Sequence, residues 1–296
     1  MRRPLLKAAL ALLSVGGLLT LGAAPALADS PHGEIQQTVR VVGNGSSVWI
    51  DHNTIQSGSI RFAVSTTNRS TQQGGGSQVS LFRLNSGVTL DRFRHDLADE
   101  FNQHPKAAAD GTRELTQDVH IMGLADVVKG RPEVVTENLT PGTYYLMDLG
   151  NSVIPPALTT LSVRLAGPNI EQDSDLGSQL TATVTSADRF IAPRDWPHQG
   201  TYTFTNVSDT LHMMTIQRVK PGTTDQDISD FFNGTNPNVP FMQGPSGGND
   251  VTSPGVSFQV SYNLPAGTYV LLCFVADDMT GMPHAFMGMH KVIVLH

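Results

Sequence analysis

Much of the chain consists of short apolar or alternating runs separated by Gly, Pro, Asn and Ser. Examples are Gln179-Leu-Thr-Ala-Thr-Val184, residues 201–205, Val256-Ser-Phe-Gln-Val-Ser-Tyr262 and residues 292–295. Alternation of this kind places one face of a strand in a core and the other in water. Two segments break the pattern. Asp91-Arg-Phe-Arg-His-Asp-Leu-Ala-Asp-Glu-Phe101 carries apolar residues at 93, 97 and 101. Thr224-Asp-Gln-Asp-Ile-Ser-Asp-Phe-Phe232 has an acidic first turn. Both read as short helices. Residues 74–76 and 233–250 read as loops. The pattern predicts an all-β protein built from antiparallel sandwiches.

The strands recur in two sets. Leu81-Phe-Arg83 with Gly87 parallels Ile216-Gln-Arg218 with Gly222. Leu139-Thr-Pro-Gly142-Thr-Tyr144 parallels Leu264-Pro-Ala-Gly267-Thr-Tyr269. Trp49 with Gly58 and Phe62 parallels Trp196 with Gly200 and Phe204. The expected organisation is a first copy at 34–166, a polar linker at 167–177 and a second copy at 178–296, with one helical insertion in each.

The first 28 residues read as an export leader. Arg2, Arg3 and Lys7 precede an apolar stretch, and Ala26-Leu-Ala28 forms a small-residue cleavage site. Either the general or the twin-arginine export route suits it, and the mature chain is expected to be secreted. No other apolar run is long enough to span a bilayer. Loss of the three leader cations takes the net charge from −7 to −10, so nucleic acid is not an expected partner. A single cysteine excludes an intramolecular disulfide, and Cys273 is left as a packing residue or a ligand.

Cys273 opens the segment Cys273-Phe-Val-Ala-Asp-Asp-Met279-Thr-Gly-Met282-Pro283-His284-Ala-Phe-Met287-Gly288-Met289-His290. Thiolate, imidazole and thioether are donors that favour copper. His212, in Asn206-Val-Ser-Asp-Thr-Leu-His212, can supply a further nitrogen from another strand. This order of residues resembles the cupredoxin (blue copper) family. The resemblance implies a fold of two tandem cupredoxin-like Greek-key β-sandwiches. It also implies one copper in the second copy, held by His212, Cys273, His284 and Met289, with Met287 an alternative to Met289. In one respect the segment departs from the family: ten residues separate Cys273 from His284, where plastocyanin-like members have only a few.

In the first copy, Ser77, Asp148 and Thr159 are expected at the places of His212, Cys273 and Met289, which leaves that copy without metal. The resemblance further implies one-electron transfer to a redox protein partner. Two other readings stand beside it. One is copper transfer to a protein partner through Met213, Met214, Met287 and His290. The other is a metal-free structural or interaction module. No His-x-His pair, zinc-protease motif, phosphate loop or nucleophile elbow occurs, and the expectation is a protein that is not an enzyme.

Overall fold

Alternation along Gly58–Thr66 buries every second residue, and strands of this type build the whole molecule. The computed structural model describes residues 37–68, 76–166, 180–185, 187–242, 244 and 246–296. The leader at 1–28 and the linker at 167–177 lie outside them.

The first half contains β1 (Gln37–Gly43), β2 (Val48–Ile50), β3 (Thr54–Gln56), β4 (Gly58–Thr66) and β5 (Gly76–Leu84). Helices α1 (Leu90–Glu100) and α2 (Pro105–Asp118) follow. The half closes with β6 (Val119–Val128), β7 (Glu133–Leu139), β8 (Gly142–Asp148) and β9 (Thr159–Arg164). The second half contains β10 (Leu180–Val184), β11 (Phe190–Ile191), β12 (Asp195–Trp196), β13 (Gln199–Asn206) and β14 (His212–Arg218). Helix α3 (Asp225–Phe232) precedes β15 (Gly247–Thr252), β16 (Ser257–Asn263), β17 (Gly267–Leu272) and β18 (His290–Leu295).

Each half has its own 5-stranded sheet, in the orders β3-β9-β8-β5-β6 and β12-β18-β17-β14-β15. An 8-stranded sheet, β11-β10-β13-β16-β7-β4-β1-β2, faces both of them. The result is two β-sandwiches sharing one wall. Strand for strand, β1–β9 match β10–β18, down to the parallel pairs β1–β4 and β10–β13, and β3–β9 and β12–β18. In both halves a tyrosine on the Gly-Thr-Tyr strand donates its hydroxyl to a carbonyl four residues back. Tyr144 reaches Thr140 at 3.0 Å, and Tyr269 reaches Pro265 at 2.8 Å.

The halves join through equivalent strands. In the β7–β16 pair, Thr136 lies opposite Gln259. These two are counterparts, because they pair on their other sides with Arg61 and Thr203, the residues preceding Phe62 and Phe204. A local two-fold axis therefore passes between them. A second junction joins Ser253 to β6: its N–H donates to the Ile121 carbonyl, and its hydroxyl accepts the Ile121 N–H, both at 2.9 Å. One hydrophobic cluster runs from Val39 to Leu295 across both halves. Each fully buried Phe, Leu or Val in it contributes roughly 1.5–3 kcal/mol.

Three sequence expectations need correction. The tryptophans are not equivalent. Ile55 pairs with Val163 as Trp196 pairs with Leu295, so Ile55 is the counterpart of Trp196, and Trp49 is 58% exposed on β2. The first half carries two helices rather than one. In α2, Pro105 stands at the first turn and Ala108, Ala109, Thr112 and Leu115 face inward, a small-residue stripe that its weak hydrophobicity conceals. The expected loop at 233–250 ends in a strand, since β15 begins at Gly247 and pairs with β14. Among the described residues no helix is long and apolar enough to cross a membrane.

Candidate metal centre

The site lies at one end of the second sandwich, where β14 begins and β17 finishes. Asn206 shapes the approach. Its amide donates to the carbonyls of Thr210 and Thr252, both at 2.9 Å, and its oxygen accepts from the Ser208 N–H. This Asx-type turn delivers His212 to the first position of β14, fully buried. The register of β14 on β17 brings Cys273 beside it, where the Met213 N–H donates to Sγ at 3.5 Å.

The long Cys273–His284 insertion folds back on itself. Ala276 and Pro283 form an isolated antiparallel bridge. The Asp277 N–H donates to the Met282 carbonyl at 2.9 Å, and the Gly281 N–H returns to the Asp277 carbonyl at 2.8 Å. Asp277 Oδ1 accepts from the N–H groups of Met279 and Thr280 and from the Thr280 hydroxyl. With the hairpin closed, the His284 N–H reaches the Val275 carbonyl at 3.0 Å and the Ala285 N–H reaches that of Cys273 at 2.7 Å. The extra residues therefore loop outward and return His284 to Cys273. Gly281 sits at φ +67 against the first half, where a Cβ would lie 1.8 Å from the Pro105 carbonyl oxygen. Arg113 of α2 donates to the Asp278 carbonyl at 2.5 Å.

His212 Nδ1 and His284 Nδ1 each lie 3.6 Å from Cys273 Sγ, and the ring centroids are 4.6 Å apart. All three residues are buried. With bonds of about 2.0 Å to nitrogen and 2.3 Å to sulfur, that spacing corresponds to an angle of about 114° at a common centre. A thiolate and two imidazoles so placed fit a single copper ion. Met289 follows a one-turn helix, His284–Met287, and Gly288 in the left-handed region. It is fully buried in the same cluster as Cys273, and its N–H donates to the His284 carbonyl at 2.9 Å. Met287 is 39% exposed, and its sulfur accepts the Thr280 hydroxyl at 3.7 Å. Of the two thioethers, Met289 is the buried one. His290 turns towards α3, with Nε2 3.0 Å from the Ser229 hydroxyl.

Electrostatics prepare the sulfur. Burial pushes the Cys273 thiol up, but hydrogen bonding and positive charge from His212 and His284 outweigh it and bring the thiol down to about 6. Burial also works against a charged His212, yet Asp188 and Cys273 overcome it and raise the imidazole to about 9. Asp188 Oδ1 lies 3.0 Å from His212 Nε2, and this bond holds its carboxyl below the usual range. Sequence reading singled out neither Asp188 nor Asp277. Asp277 is in fact buried, and the Asp277-x-x-Thr280-Gly281 spacing of an Asx turn was the available signal.

In the first half, Ser77 and Asp148 hold the strand positions of His212 and Cys273, as the β5–β8 and β14–β17 registers require. Thr159 is the counterpart of Lys291 rather than of Met289, because these two pair with the equivalent Leu146 and Leu271.

No protein-family model matches the sequence, and a search of curated proteins finds no relative. Among solved structures the chain is similar to the reduced auracyanin of Roseiflexus castenholzii, at 18% identity and TM-score 0.24, covering 40% of this chain and 94% of that one. It is also similar to the copper-containing nitrite reductase of Thermus scotoductus, at 12% identity and TM-score 0.24, covering 88% and 68%. A third is the multicopper oxidase of Aquifex aeolicus, at 10% identity and TM-score 0.25, covering 89% and 66%. Likenesses this weak carry no argument of their own, and the site rests on the donor geometry above. The expectation of a protein that is not an enzyme is corrected: a nitrite reductase and an oxidase stand among these structures.

Proposed function

We propose that this is an exported copper protein that exchanges single electrons with a protein partner. Its copper would be held by His212 Nδ1, Cys273 Sγ and His284 Nδ1, with the buried Met289 thioether as a weaker fourth donor. In this reading residues 1–28 are the leader, and two cupredoxin-like domains, 34–166 and 178–296, flank a linker at 167–177. The observation that carries it is the convergence of two Nδ1 atoms on one buried sulfur.

Bound copper supplies a one-electron couple. The chain supplies the rest. With its thiol near 6, Cys273 gives up its proton readily at neutral pH and presents a thiolate. His212, anchored through Nε2 by Asp188, turns Nδ1 inward. Burial of all three donors excludes water and fixes their spacing, so little has to move when charge changes. Met279, Met282 and Met287, exposed by 84%, 46% and 39%, give the covering hairpin an apolar outer surface suited to docking a redox protein. Those same thioethers support copper transfer as a second reading.

The test is addition of Cu(II) to purified mature protein, with a visible spectrum. An intense blue thiolate-to-copper band supports electron transfer. Tight, colourless Cu(I) binding that depends on the three methionines supports transfer instead. Absence of binding overturns both.

A further inference from the structure

Behind the sulfur-facing edges of the two histidines lies a second convergence of donors. One ligand atom each of Asp188, Asp277 and His284 lies within 4.8 Å of the others. The Asp277 hydrogen bonds fall on Oδ1. Its Oδ2 faces His284 Nε2 at 4.0 Å, too far for a direct hydrogen bond. His284 is only 1% exposed, and its Nε2 has no hydrogen-bond partner. A buried ring nitrogen left unpaired is rare and calls for an explanation. Asp188 reaches the same place from the β10–β11 turn, at φ +51, with Oδ1 on His212.

We infer that Asp188, Asp277 and Nε2 of His284 form a second cation site, which shares the His284 ring with the copper site. One nitrogen and two carboxylates suit a divalent ion of zinc type better than Cu(I). A bound ion would take the place of the Nε2 proton, which would leave to solvent, while Nδ1 stays turned towards Cys273. The hairpin explains the placement: closing it on the Ala276–Pro283 bridge brings the Asp277 carboxylate in over the ring. The inference rests on the copper reading.

The experiment adds Zn(II) to protein already carrying one equivalent of Cu(II), then measures both metals after gel filtration and records the visible spectrum. The expected result is one copper and one zinc per chain, with the thiolate band displaced when zinc enters. Asp277→Asn keeps an Oδ1 acceptor for the hairpin turn, so it should retain copper and its band, which also reports a folded site, while holding zinc at least tenfold more weakly. Copper without zinc, or zinc held equally by parent and Asp277→Asn, overturns the inference and leaves the copper reading intact. Failure to take up copper overturns both.

Discussion

Asp148 stands on β8 where Cys273 stands at the end of β17, and each is met by the backbone N–H that follows the counterpart of His212. The Gln78 N–H donates to Asp148 Oδ1 at 3.2 Å, and the Met213 N–H donates to Cys273 Sγ at 3.5 Å. In the first half the carboxylate also accepts the N–H groups of Gly45 at 2.6 Å and Gly150 at 2.9 Å. A side chain that accepts this backbone N–H is kept at the position in both halves. One is saturated by amides, and the other is left with two imidazoles.

Asp148→Ala should therefore lower stability by about 1–3 kcal/mol, because three N–H groups, one buried and two partly buried, lose their acceptor. Copper stoichiometry should not change. Chemical denaturation together with metal analysis checks both halves of the expectation.

The ligand variants should rank by role. Cys273→Ser should abolish the coloured band. His212→Ala should weaken copper by more than about a hundredfold, since even partners one step removed from a metal cost 10–100-fold. Met289→Leu should keep the metal but shift its reduction potential, whereas Met287→Leu should keep both metal and potential unchanged. Affinity titration and redox potentiometry separate these outcomes. A potential that moves with Met287 and not with Met289 would exchange their roles.

Gly281→Val places a branched side chain at φ +67 against the Pro105 carbonyl. Backbone strain of this kind costs about 1–3 kcal/mol. Displacement of the hairpin should also alter the copper spectrum, although residue 281 is no ligand. Arg113→Ala, which removes an exposed hydrogen bond to the Asp278 carbonyl and the i,i+3 ion pair with Asp110, should cost about 1 kcal/mol.

Glu137 offers a pH test away from the metal. It is fully buried on β7, neither carboxyl oxygen has a partner, and burial raises its pKa well above the ordinary value. The folded state holds this proton more tightly than the unfolded state. Stability should therefore fall as pH rises above the unfolded pKa of about 4.3, by roughly 1.4 kcal/mol per unit until the folded group ionises. Glu137→Gln should remove that slope and be the more stable protein at neutral pH. Unfolding curves across the range would read it, and parallel curves for the two proteins would refute it.

What the sequence revealed divides along physical lines. Donor types and their order are local facts, and His212, Cys273, His284 and Met289 could be picked out as a set for that reason. The long Cys273–His284 spacing argued against a site because counting residues assumes an extended path. The Ala276–Pro283 bridge, made by backbone hydrogen bonds, shortens that path. Pairing Trp49 with Trp196 failed because a shared residue type says little about position in a sheet, whereas ladder register assigns Ile55 without ambiguity. Asp188 could not be found at all, since a turn remote in the chain brings it to His212.

The Thr136–Gln259 pairing has a mechanical meaning. A ladder that runs unbroken from β11 to β2 leaves no hinge where the halves meet, so the first half is a fixed bracket. From that bracket Pro105 and Arg113 brace the hairpin over His284. The freedom of the hairpin that covers the buried sulfur is thus set from outside its own sandwich, by the half that does not contain Cys273.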